Sequence, residues 1–130
     1  VVHQILMIDD DREMVMLGRL ILEREGFKFL FANNGRVGLE LLNKEYQNID
    51  LILLDVMMLG MDGWQVLQNI KGNEKFAHIP VIMLTARHYL EDESEAAKYA
   101  GMFDGYEVKP FVVKNLLSKI NGLINKKNVT

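Results

Sequence analysis

Residues 50–63 read DLILLDVMMLGMDG, and the fold turns on how they are read. Leu51 to Leu54 are four apolar side chains in a row with no polar alternation. Such a run suits a strand buried on both faces of a parallel sheet. It stops on Asp55, a charge at the end of a buried strand. Beyond the loop, Val66, Leu67 and Ile70 recur at helical spacing, and Asp62 stands where a helix N-cap belongs. This segment therefore encodes a strand, a loop and a helix, with a carboxylate where the strand ends.

The same unit recurs on either side. Ile5-Leu6-Met7-Ile8 and Val81-Ile82-Met83-Leu84 are further apolar runs, while Phe27–Ala32 and Gly105–Val108 are weaker strand candidates, the last ended by Pro110. Between them Met14, Leu17, Gly18 and Ile21 share a helical face, as do Gly38, Leu41 and Leu42, and then Val113, Leu116, Leu117, Ile120, Leu123 and Ile124. Glu91 to Gly101, acidic and alanine-rich, is read as a helix with a thin apolar face, and Gly26, Gly72 and Gly101 fall where helix C-caps are expected. Strand then helix, five times over, predicts an α/β three-layer sandwich around a parallel sheet with right-handed crossovers. No repeat or internal boundary interrupts it: residues 1–125 read as one domain and 126–130 as a tail or the start of a linker. The sequence starts at Val1 rather than Met, so it can be a segment of a longer chain.

Composition removes several function classes. The net charge of −3 gives no basis for a nucleic-acid-binding surface. With no cysteine there are no disulfides and no thiolate metal sites, which fits a reducing, cytoplasmic setting. No apolar stretch is long enough to span a bilayer, and no signal peptide is visible.

Ligands of open parallel sheets bind beyond the carboxyl ends of the strands. There the sequence places Asp9, Asp10 and Asp11 after the first strand, Asp55 after the third, Thr85 after the fourth and Lys109 after the fifth. Carboxylates brought this close repel one another, and one is driven toward protonation unless a cation is present. Mg²⁺, which binds through one or two carboxylates plus phosphate oxygens and keeps several waters, suits the set. Asp55 could then attack phosphorus to form an acyl phosphate, with Lys109 and Thr85 as charge and hydrogen-bond donor to the phosphoryl oxygens.

Five segments together carry a family resemblance: ILMIDDD (5–11), Asn34-Gly35, DLILLDVMMLGMDG (50–63), IPVIMLTA (79–86) and GYEVKPF (105–111). In this order and at these separations they resemble the receiver domain of bacterial two-component response regulators, over essentially the whole chain. The resemblance implies a flavodoxin-like sheet of strand order 2-1-3-4-5 with five helices. It implies Mg²⁺ held by Asp9, Asp10, Asp55 and the backbone carbonyl of Met57, with Asp10 the more direct ligand of the acidic pair. It makes Asp55 the phosphoacceptor, Lys109 the partner of the phosphoryl group, and Thr85 and Tyr106 the switch pair, with a cis Lys109-Pro110 bond. A sensor histidine kinase or phosphotransfer protein would supply the phosphoryl group. The fourth helix, fifth strand and fifth helix would form the output face, with association into a homodimer on phosphorylation. Such a protein is not an enzyme in the usual sense, since it catalyses only its own phosphorylation and dephosphorylation. This chain departs from the family at Leu59, where proline is usual, and in a stretch from Thr85 to Lys109 about two residues longer than usual. Met57 and Arg87 stand where relatives vary their dephosphorylation rate. The apolar Met57 offers nothing to orient an attacking water, so slow autodephosphorylation is expected.

Plainer roles compete. Asp11 and Asp62 read as helix caps, Trp64 as packing on the third helix, the methionines as core filler, and His3, His78 and His88 are assigned nothing. A flavodoxin-like flavin carrier needs a phosphate-cradling loop where this chain has Asp9-Asp10-Asp11-Arg12-Glu13, and the glycine-lysine motif of a P-loop protein is missing. A haloacid-dehalogenase-like phosphatase would place its nucleophile on the first strand, but the threonine that should follow it is absent. The strongest rival is a degenerate receiver that binds partners without phosphorylation, and the complete Asp9, Asp10, Asp55, Thr85 and Lys109 set argues against it.

Overall fold

The apolar runs become five strands: β1 (Gln4–Ile8), β2 (Lys28–Ala32), β3 (Leu51–Asp55), β4 (Val81–Ala86) and β5 (Gly105–Lys109). The computed structural model describes residues 1–86 and 93–128. Its helices are α1 (Arg12–Arg24), α2 (Gly35–Glu45), α3 (Gly63–Lys71), α4 (Glu93–Lys98) and α5 (Val113–Asn128), with a 3₁₀ turn at Tyr46–Asn48. Neighbouring strands all pair in parallel, in the order β2-β1-β3-β4-β5 that the family resemblance implies. Of the stretch read as helix, residues 91 and 92 lie outside the described residues and α4 ends at Lys98, short of Gly101, while α5 runs through residue 125 to Asn128.

Because successive side chains in a strand point to opposite faces, each run feeds two cores. Leu6, Ile8, Ile52, Leu54, Val81 and Met83 pack with Leu42 of α2 and with Val66, Leu67 and Ile70 of α3. Ile5, Met7, Leu51, Leu53, Ile82 and Leu84 pack with Leu22 of α1 and with Leu116, Ile120 and Ile124 of α5. Fully burying side chains of this size contributes roughly 1.5–3 kcal/mol each, so the three central strands form the most strongly anchored part of the sheet.

The helix ends follow the local chemistry. Asp11 caps α1, accepting from the amides of Glu13 and Met14. Asp62 and Gln65 form a reciprocal capping box on α3. Gly26 and Gly101 take left-handed φ values of 91° and 92°, whereas Gly72 closes α3 in the right-handed region. Gly63 serves close approach: a Cβ there would lie 2.1 Å from the backbone oxygen of Asp55. Only glycine lets the start of α3 pack directly against the end of β3.

Candidate functional site

Strand register assembles the site. Ile8 pairs with Leu54, so Asp9 and Asp55 each stand one residue further along adjacent strands. Asp55 in turn pairs with Leu84, Thr85 with Val108, and Ala86 with Lys109. Asp9, Asp55, Thr85 and Lys109 therefore reach one edge from four strands.

Asp9 is fully buried and Asp55 is 4 % exposed, while Asp10 is open to solvent. One carboxylate oxygen from each of Asp9, Asp10 and Asp55 can be chosen so that all three lie within 4.8 Å of one another. The ammonium of Lys109 bridges two of them, 2.7 Å from Oδ2 of Asp9 and 3.2 Å from Oδ1 of Asp55. The other Asp9 oxygen accepts from the Asp11 amide at 2.9 Å, and Asp10 Oδ2 accepts from the Leu59 amide at 3.1 Å. The loop after Asp55 is also tied at its ends: the Val56 amide donates to the Leu84 carbonyl and the Gly63 amide to the Val56 carbonyl, both at 2.9 Å.

One lysine does not balance this much negative charge. Burial, and then the charge of Asp9, push the Asp55 carboxyl up from 3.8 to about 7 against the opposing pull of Lys109. Burial works to lower the Lys109 ammonium, but its hydrogen bond and charge interaction with Asp9, followed by those with Asp55, outweigh this and hold it above the usual range. A buried carboxylate set that is short of positive charge, made only of hard oxygen donors and open on the Asp10 side, fits a hard divalent cation such as Mg²⁺.

The remaining sequence candidates fall around this centre. Thr85 is buried, and its hydroxyl donates to the Ala86 carbonyl at 3.2 Å. Met57 has a half-exposed side chain and lines a cavity of about 430 Å³ together with Asp10, Leu59, Asp62 and Trp64. Tyr106 is 48 % exposed, on β5 at the edge of the sheet. The Lys109-Pro110 bond is cis. Arg87 and His88 lie outside the described residues.

Sequence reasoning did not find five further contacts. Trp64 stacks on Tyr99 with ring centres 4.8 Å apart, and also meets Phe103, whose edge meets Tyr106. Glu107, almost fully buried on β5, pairs with Lys119 of α5. The Leu59 amide reaches Asp10, and here a signal existed, because a residue other than proline keeps its N–H.

The family described as the response regulator receiver domain matches residues 5–121. The chain belongs to this family. Among relatives of this receiver domain, the heme response regulator HssR of Staphylococcus epidermidis is 38 % identical over 121 residues, 93 % of this chain and 51 % of the relative. HssR of Staphylococcus aureus is 36 % identical over 126 residues, 97 % of this chain and 53 % of the relative. The chain thus spans about half the length of the curated relatives it matches. A response regulator receiver domain protein from Clostridium thermocellum superposes with a TM-score of 0.86 at 29 % identity, covering 98 % of both chains. The signal receiver domain of a signal transduction histidine kinase from Syntrophus aciditrophicus gives 0.86 at 28 % identity, over 96 % of this chain and 92 % of that one. Receiver domains are phosphoacceptor switches of two-component signalling. They generally bind Mg²⁺ through an acidic pocket and interact with sensor histidine kinases. Among the described residues no helix is long and apolar enough to cross a membrane.

Proposed function

We propose that this receiver domain takes a phosphoryl group onto Asp55 in a Mg²⁺-dependent reaction and changes its α4–β5–α5 face in response. The observation that carries this reading is the meeting of Asp9, Asp10 and Asp55 around one lysine, with Asp55 at the end of a fully buried strand. Asp9, Asp10 and Asp55, with the Met57 backbone carbonyl, would hold the ion. When bound, it supplies the positive charge that keeps Asp55 ionised and screens an incoming phosphate.

The chemistry of the chain's own residues follows. An ionised Asp55 oxygen attacks phosphorus, and the bond from phosphorus to the donor's nitrogen breaks with its electron pair left on nitrogen. Lys109, already beside Asp55, gains the new phosphoryl oxygens as partners. Thr85 turns its hydroxyl from the Ala86 carbonyl to a phosphoryl oxygen, and the half-exposed ring of Tyr106 moves inward into the space vacated. Most of the rate advantage in such a transfer comes from positioning and charge. Apolar Met57 leaves hydrolysis unassisted, so the phosphorylated form is long-lived.

The donor is a sensor histidine kinase or phosphotransfer protein in the cytoplasm, and phosphorylation favours a homodimer. The domain acts catalytically only on itself and touches neither membrane nor nucleic acid directly. Residues 1–125 form the receiver unit, and 126–130 a tail or the start of a linker. Leu59, in place of the usual proline, favours a second reading, a degenerate receiver that binds partners without phosphorylation.

Intact mass after incubation with Mg²⁺ and acetyl phosphate separates the two. One added phosphoryl group is expected, absent without Mg²⁺ and absent in Asp55→Asn. No adduct while Mg²⁺ still binds would point to a degenerate receiver or to a need for the cognate kinase.

A further inference from the structure

Leu59 stands at the tip of the loop that follows the phosphoacceptor. Its side chain is 89 % exposed, so the side chain does not hold the loop. Its backbone does make a contact: the Leu59 amide donates to Asp10 Oδ2 at 3.1 Å, across 49 residues of sequence. Gly60, with φ of 79°, turns the chain immediately afterwards. A proline at 59 has no N–H and could not make this bond.

We infer that the Leu59 amide is a positioning group for metal binding, holding the solvent-exposed Asp10 carboxylate in place for the cation. The inference rests on the Mg²⁺ reading given under Proposed function. Asp9 and Asp55 are fixed by burial and by Lys109, whereas Asp10 is exposed and gains its orientation from the loop. A carboxylate has two oxygens and about four lone-pair sites, so accepting one amide leaves ample capacity for a cation. Hydrogen bonds to metal-binding side chains fix their direction, and losing one typically costs about 10–100-fold in metal affinity. The residue that departs from the family pattern thus adds a link between the metal site and the loop that a proline could not provide.

The test is Mg²⁺ titration by calorimetry on the unaltered chain, Leu59→Ala and Leu59→Pro, with amide hydrogen exchange at residue 59 followed by NMR. Leu59→Ala keeps the amide and is expected to bind Mg²⁺ as the unaltered chain does. Leu59→Pro is expected to bind about tenfold more weakly, the lower end of the usual range because Asp10 is exposed. The Leu59 amide is expected to exchange slowly with and without Mg²⁺, and to lose that protection in Asp10→Ala. An unprotected Leu59 amide, or Leu59→Pro binding Mg²⁺ as tightly as the unaltered chain, overturns the inference. Failure of the unaltered chain to bind Mg²⁺ overturns the metal reading and this inference with it, a pattern distinct from equal binding by all three.

Discussion

β3 and β5 are both five residues long and both end in a charged residue of the site, yet they are built differently. Every residue of β3, Asp55 included, is buried. In β5 only Glu107 is buried, while Tyr106 is exposed and Gly105, Val108 and Lys109 are intermediate. β3 lies at the centre of the sheet and β5 at its edge. The comparison teaches a division of labour. Asp55 is mounted on a strand packed on both faces, while Tyr106 and Lys109 sit on one that is only partly covered.

The strongest challenge to this contrast is packing energy. Leu53→Ala on β3 is expected to lower unfolding free energy by about 3 kcal/mol, and Val108→Ala on β5 by about 1 kcal/mol, measured by urea denaturation. Equal losses would break the comparison.

Next comes the charge held on the rigid strand. Asp55 has its folded-state pKa raised from 3.8 to about 7, so without metal the folded state binds the extra proton between those values. Its contribution to stability is complete below about 3.8 and is lost as pH rises through about 7. In metal-free buffer Asp55→Asn should therefore match the unaltered chain near the low end and exceed it above the high end, by no more than about 4 kcal/mol. Mg²⁺ should close the gap. Melting curves across pH, with and without Mg²⁺, check both statements, and a gap that widens toward acid would reverse the sign.

Smaller effects sharpen the picture on β5. Glu107→Ala removes the link to Lys119, but the Lys119 side chain is 44 % exposed and can return to water. A loss of about 1 kcal/mol is expected in the same denaturation experiment, well below the cost of orphaning a fully buried charge. Tyr106→Ala should change stability by less than about 0.5 kcal/mol, since its ring is half exposed. It should nonetheless shrink the phosphorylation-dependent amide shifts along β5 and α5 in NMR spectra.

Much of this was legible in the sequence because central parallel strands write themselves as unbroken apolar runs, and the residue after each run is delivered to the ligand edge. Asp9, Asp55, Thr85 and Lys109 could be named for that reason, and register then brought them together. The caps Asp11 and Asp62 were readable from local chemistry alone. What stayed hidden depends on contacts between distant segments or on the backbone. Nothing in the sequence sets Trp64 against Tyr99, or Glu107 against Lys119, because each pairing is made by packing elements that are separated along the chain. The bounds of α4 were blurred because a thin apolar face gives weak periodicity. Leu59 was noticed for the proline it replaces, while its effect lies in an amide that a reading of side chains passes over.

The Trp64 stack has a practical consequence. The chain has a single tryptophan, so its red-edge emission comes from one place. That indole follows Gly63, which is pressed against the backbone of Asp55, and it lies face to face with Tyr99. A displacement of the loop after Asp55 alters the surroundings of the chromophore directly. The protein therefore carries its own optical gauge between Asp55 and the α4 side, and a change at either could be followed in real time without a label.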